Sequence, residues 1–173
     1  MPVTSPTDAL PYIRAIQLLL GGYGAYSREK RRETDVAVRE EVTRAATRVR
    51  NHLNNVHDAA YRNKDTELAA VCARAIEEVD VLRNEVELAA TGGEHPFFSL
   101  QKSASKKSIN NLIKHDHDTL DMVTKAVNIS NDLEAAHAEQ DGEKCLTDVR
   151  KCQQLLSSCR GHFSARGRVL RKI

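Results

Sequence analysis

Residues 42–60, VTRAATRVRNHLNNVHDAA, and residues 68–89, LAAVCARAIEEVDVLRNEVELA, decide how this chain folds. In the first stretch Val42, Ala46, Val49, Leu53, Val56 and Ala60 recur at alternating steps of four and three. In the second, Leu68, Cys72, Ala75, Val79, Leu82, Val86 and Ala89 do the same. That alternation lays the apolar residues along one narrow stripe of an α-helix, the heptad seam of helices that pack lengthwise, as in a coiled coil. Between the stretches stands Asn63-Lys64-Asp65, with Asp65 suited to cap the second helix. So short a connection makes the two helices, 27–62 and 65–90, antiparallel neighbours.

Working toward the C-terminus, a third helix is predicted from Ser105 to Glu139 with Ile109, Ile113, Leu120, Val123 and Val127 as its apolar row. Carried forward, the same row meets Ser130, Glu134 and His137, so its far end is expected to be frayed, exposed or paired with a polar partner. Asp141-Gly142 punctuates a second short hairpin. Beyond it Cys145, Val149, Cys152, Leu156, Cys159, Phe163 and Leu170 make another heptad series, weakened at its end by Gly161 and Gly167. Thr91-Gly92-Gly93 closes the second helix and opens a loop over 91–104.

Toward the N-terminus Leu10, Ile13, Ile16 and Leu20 predict a short helix, capped by Thr7 or Asp8 and with Pro11 in its first turn. Gly21, Gly22 and Gly24 then read as a hinge, and Ser27 as the cap of the first long helix. The expected fold is all-α: an elongated antiparallel four-helix bundle of two long hairpins, 27–90 and 105–173. A short N-terminal helix and glycine hinge (1–26) precede it. Long helices of this kind span roughly 40–55 Å at 1.5 Å per residue. Each hairpin alone leaves its seam half exposed, so the two must pack on each other or on another chain.

Composition agrees with that class. The chain has 173 residues, long enough for a core without disulfide or metal staples, and its aromatic content of 4% with no Trp disfavours sandwiches and barrels. No run of 18 or more apolar residues is present, and Met1 to Asp8 lacks the basic start of a secretory signal, so a cytoplasmic, reducing compartment is expected. Cys145, Cys152 and Cys159 fall at intervals of seven. On one helix that places them on one face but about 10.5 Å apart along the axis, beyond the roughly 7 Å that a disulfide spans. With Cys72 they read as small core positions.

The formal balance of 26 basic and 24 acidic residues, +2, excludes little, but its distribution is uneven. Val149 to Ile173 holds Arg150, Lys151, Arg160, Arg166, Arg168, Arg171 and Lys172 and no acid. Asp65 to Ala90 holds seven acids against Arg74 and Arg83. Such segregation predicts either that the two helices lie side by side or that the basic arm meets an anionic partner.

The candidates for chemistry are few. His115-Asp116-His117-Asp118 with Asp121 offers metal-ligand types, but bundle metal sites draw ligands from several helices, and Glu134-Ala135-Ala136-His137 is the one Glu-x-x-His pair. The run reads as a solvated helix surface. Glu40-Glu41 and Glu77-Glu78-Val79-Asp80 resemble the acidic helix pairs that hold magnesium in all-helical nucleotide pyrophosphohydrolases. Such a site needs four converging carboxylates, whereas Val79 here lies in the seam, so salt bridging to Arg44 and Arg48 is the plainer account. His52 and His57 flank the seam. No Gly-x-Ser-x-Gly turn occurs, and the N-terminal glycines lack the Lys-Ser/Thr of a phosphate loop. No catalytic residue, metal or cofactor is expected.

Two features stand out from this background. Phe97 and Phe98 sit in the interhairpin loop, where they cap the bundle or dock a partner. Lys102, Lys106 and Lys107 lie at the bundle end to which the fourth helix returns, so they join Arg160, Arg166, Arg168, Arg171 and Lys172 in one electropositive cap. The function expected is that of a non-enzymatic helical interaction or scaffold protein, binding a protein partner or self-assembling through heptad surfaces. The alternative is a binder of an anionic surface, nucleic acid or phospholipid, through the basic C-terminal end, with the N-terminal helix as a membrane contact. A metal-dependent hydrolase using helix-borne carboxylates is the third.

Overall fold

The structure is a computed structural model that describes residues 9–89 and 95–173. The predicted caps Thr7 and Asp8 and the stop Thr91-Gly92-Gly93 lie outside those residues. Six α-helices follow in order: α1 (Leu10–Leu19), α2 (Arg31–Arg62), α3 (Thr66–Leu88), α4 (Lys106–Ala138), α5 (Gly142–Ser164) and α6 (Arg166–Arg171). Asp65 and Asp141 each accept a hydrogen bond from the backbone N–H three residues on, Leu68 and Lys144, so both hairpin turns end in a side-chain N-cap.

The two heptad stretches form α2 and α3, and their seam residues are buried: Val42, Val49, Leu53, Val79 and Leu82 expose none of their surface. Each such Val or Leu contributes about 1.5–3 kcal/mol relative to remaining in water. α2 packs on α3, α3 on α5, α5 on α4 and α4 on α2, so the four stripes meet inside one chain. Within each hairpin the helices are antiparallel. Across the hairpins, neighbours run parallel: α2 and α4 approach at Asp35 and Asp116, which share Arg166, and again at His52 and Glu134. α3 and α5 approach at Glu67 and Arg150, then at Glu78 and Arg160. The segregated charges of the sequence are therefore spent partly on packing the acidic helix beside the basic one. α3 and α4 occupy diagonal corners, so the connection between them crosses an end of the bundle, and Phe97 and Phe98 plug that end.

Several expectations need correcting. Ser27 does not cap α2. A 3-10 turn, Arg28–Lys30, intervenes and the Ser27 side chain accepts no cap hydrogen bond, because the preceding turn first carries Tyr23 and Tyr26 into the core. Two glycines permit that turn. Gly22 has a φ of +82°, and a Cβ on Gly24 would sit 2.8 Å from the Cβ of Lys30. The far end of α4 keeps a buried stripe, but it runs through Ala126, Ser130, Leu133 and Ala136 rather than Val127, Glu134 and His137. Ser130 enters the core at little cost because its hydroxyl donates to Val127 O at 2.8 Å. Glu134 has found its polar partners on α2, His52 and Asn55, and the bond from His52 holds its carboxyl below the usual range. The fourth helix breaks at Ala165, and α6 follows as a separate short element.

Candidate functional site

The features that distinguish this bundle gather at the end crossed by the α3–α4 connection. The heptad stripes, followed to that end, do not stay apolar. Asp35 stands three residues before Val38, Asp116 four before Leu120, and Arg166 three after Phe163, each in its helix's seam. All three are buried, at 1%, 1% and 6% exposure. The Arg166 guanidinium donates through Nη1 to Asp35 and through Nη2 to the Tyr26 hydroxyl, and lies 3.3 Å from Asp116 Oδ1. Tyr26 and Tyr23 both donate to Asp116 Oδ2, Tyr23 at 3.2 Å. Burial pushes the Asp116 carboxyl up and Arg166 pulls it back, while burial beside Asp116 raises both phenols. The site thus joins the N-terminal turn, α2, α4 and α6 in one charge-compensated cluster.

Arg31 and Arg39 serve this end as structural donors. Arg31 lies over the Phe97 ring at 4.2 Å and donates to Phe97 O and Lys102 O, each at 3.1 Å. Arg39 donates to Val86 O and Ala89 O, closing the carbonyl end of α3. On either side of Arg39 lie two clefts of about 460 and 450 Å³. Val36, Thr43 and Val86 line the first, and Leu88, Phe98, Phe163 and Leu170 the second, with Asp35 and Arg166 reaching its wall. Leu88 is 83% exposed there.

The predicted site residues divide under this geometry. Phe97 and Phe98 are buried against Tyr26, so they cap the bundle and offer a partner only the edge of Phe98 in the second cleft. Arg166 belongs to the core cluster, and Arg160 pairs with Glu78 and Glu85. Neither adds to a surface patch, because each charge is matched by carboxylates. Lys102, Lys106, Lys107, Arg168, Arg171 and Lys172 are exposed. Arg28, Lys30 and Arg32, which the sequence reading passed over, are exposed on the elements beside them.

The His-Asp run also needs correction: it is not a solvated surface. His115 and Asp116 are buried, while His117 bonds Asp118 and Asp121 pairs with Lys125. His115 stacks on His162 with ring centroids 4.1 Å apart, each ring nitrogen Nε2 meeting the other residue's carbonyl. Burial, and then the neighbouring His162, lower the His115 imidazole to about 4 from 6.5. Above pH 6.5 this costs nothing. From there down to about 4 the unfolded chain takes up a proton that the native one refuses, so stability falls with pH by about 1.4 kcal/mol per unit. The raised carboxyl of Asp116 works in the opposite direction. Urea unfolding across that range is expected to show a shallower acid loss for His115→Gln than for the wild type, and superimposable profiles would refute the assignment.

Elsewhere the acidic helix pairs are tied up: Glu41 with Arg44 and Arg48, Asp80 with Arg50 and Arg83. Among the described residues no three His, Cys, Asp or Glu side chains are placed to share a metal ion. The four cysteines are buried free thiols, and burial pushes Cys72, Cys152 and Cys159 up to about 12. No described helix is long and apolar enough to cross a membrane. α1 lies on α4, burying Ile16 and leaving Leu18 89% exposed. Compared with family models, with curated proteins and with solved structures, the chain matches none.

Proposed function

We propose that the protein is a non-enzymatic helical interaction module, a rigid bundle that receives an amphipathic segment of a partner protein along α2 and α3. The observation that carries this reading is the pair of clefts flanking Arg39: Val36 is 43% exposed in the first, and Leu88 is 83% exposed beside the apolar walls of Phe98, Phe163 and Leu170 in the second. The heptad stripes are consumed inside the monomer, so docking falls to this groove rather than to a seam. Apolar anchors one helical turn apart match two clefts separated by one side chain, and Glu40, Arg44, Glu85 and Glu87 supply a polar rim of both signs.

A photo-crosslinker at position 88 in the source cell is expected to capture a discrete partner, and Val36→Glu in the same chain to abolish capture while the melting temperature holds. Capture that survives Val36→Glu, or no adduct at all, would refute the groove. Light scattering over a concentration series separates a second copy of the chain from a different protein as the occupant.

A further inference from the structure

Nine exposed cations stand on four short segments at the crossed end of the bundle: six that the sequence reading singled out, and Arg28, Lys30 and Arg32. On those same segments, the 3-10 turn with the first residues of α2, the turn 95–105, the start of α4, and α6, the described acids outside the core are Glu29 and Glu33. Arg31 ties the first two segments together through Lys102 O, and Arg166 ties α6 to α2 through Asp35. The cations therefore belong to one rigid end.

At the same end Leu100 is 46% exposed and has a φ of +64°. A leucine in the left-handed region is strained, and here it gains no burial in return. The strain is imposed from outside. Gln101 N and Lys102 N both donate to Pro96 O, and Arg31 grips Phe97 O and Lys102 O on either side of the leucine. An apolar side chain held out from a cationic face by a fixed turn has the form of an interfacial anchor.

We propose that this end of the bundle docks on an anionic phospholipid bilayer, with the cations over the headgroups and Leu100 in the interfacial layer. Each Lys or Arg within a Debye length of an anionic leaflet multiplies affinity several-fold, and the attraction needs no fixed geometry, which suits exposed lysines. A nucleic acid fits less well. The aromatic rings at this end, Tyr23, Tyr26, Phe97, Phe98 and Phe163, are all buried and present no face on which bases stack. A phosphate backbone also gains nothing from Leu100. This inference is independent of the α2–α3 groove, which the variants below leave intact.

The test is co-sedimentation of the full chain with vesicles of phosphatidylcholine alone, or with about 30 mol% phosphatidylserine. Binding is expected to the anionic vesicles only and to collapse at high salt. Joint Lys102→Glu, Lys106→Glu and Lys107→Glu substitution is expected to weaken it at least about tenfold. Leu100→Asn is expected to weaken it several-fold with the salt dependence unchanged, while raising the melting temperature, since asparagine tolerates the left-handed backbone. No sedimentation with anionic vesicles, or full binding by the triple variant, would overturn the proposal. So would a single- or double-stranded oligonucleotide that binds more tightly than the vesicles and displaces them.

Discussion

Arg166→Met is expected to remove about 3–5 kcal/mol of folding stability, the usual cost of breaking a buried ion pair and leaving its partners uncompensated. Domains of this kind have about 5–15 kcal/mol in total, so one substitution would take a large share. The size of the effect follows from what remains. Asp116, 1% exposed, would be left buried without its guanidinium partner, Asp35 would keep only the longer contact to Arg39 at 3.8 Å, and the Tyr26 hydroxyl would lose a donor. The companion experiment separates charge from packing. Adding Asp35→Asn and Asp116→Asn to Arg166→Met is expected to restore most of the loss, because the cost lies in stranded carboxylates rather than in the missing side chain. Arg166→Lys should fall between, since a single ammonium cannot divide its donors between Asp35 and Tyr26 as a guanidinium does. A loss below about 1 kcal/mol in urea unfolding of Arg166→Met would show that the cluster is not held by this residue.

Phe97→Ala is expected to cost a similar amount, about 3–5 kcal/mol, by opening a cavity where the connection crosses the bundle end. The ring exposes none of its surface and packs edge-on to Phe98 with centroids 5.1 Å apart. It also forms the platform beneath Arg31, whose two carbonyl bonds fix the turn 97–102. Loss of the ring should therefore loosen the turn before the rest of the bundle. Limited proteolysis of the variant is expected to cut first within 97–102 while α2 and α5 remain intact. Uniform cutting along the chain, or a stability loss under about 1 kcal/mol, would deny Phe97 this role.

The architecture was legible because four and three alternate so cleanly from Val42 to Ala89. Two short polar turns then left the hairpins no alternative pairing. The parallel stacking of one hairpin on the other was not legible: every stripe is as apolar as the next, and nothing in their spacing says which helices share an edge. Glu67 with Arg150 and Glu78 with Arg160 record the outcome, and the acidic and basic composition of those helices was the hint.

The core cluster was missed for a specific reason. Asp116 and Arg166 read by residue type as surface features and Asp35 drew no reading, although the heptad count places each of them in a seam. Two acids and one base at stripe positions of three helices form a buried set that nearly balances itself, and that is the signal a charge tally by segment hides. The register of α4, with Ala126 and Leu133 inside rather than Val127, has a related origin. The buried stripe Leu112, Asp116, Thr119, Val123, Ala126, Ser130 and Leu133 is itself spaced by fours and threes, and several of its members are polar or small enough to pass unnoticed as core beside the larger Val127.

One consequence of the charged cluster concerns the order in which the molecule is made. Tyr26 and Arg166 are 140 positions apart, and the acids that Arg166 neutralises sit on helices synthesised well before it. Either helical hairpin can close from neighbouring residues, but this junction lacks the guanidinium that joins Asp35 to Asp116 until Arg166 has left the ribosome. Completion of the native interior thereby waits on the synthesis of Arg166, and a chain cut short after Ala165 would carry an unpaired buried carboxylate at the crossed end of its bundle.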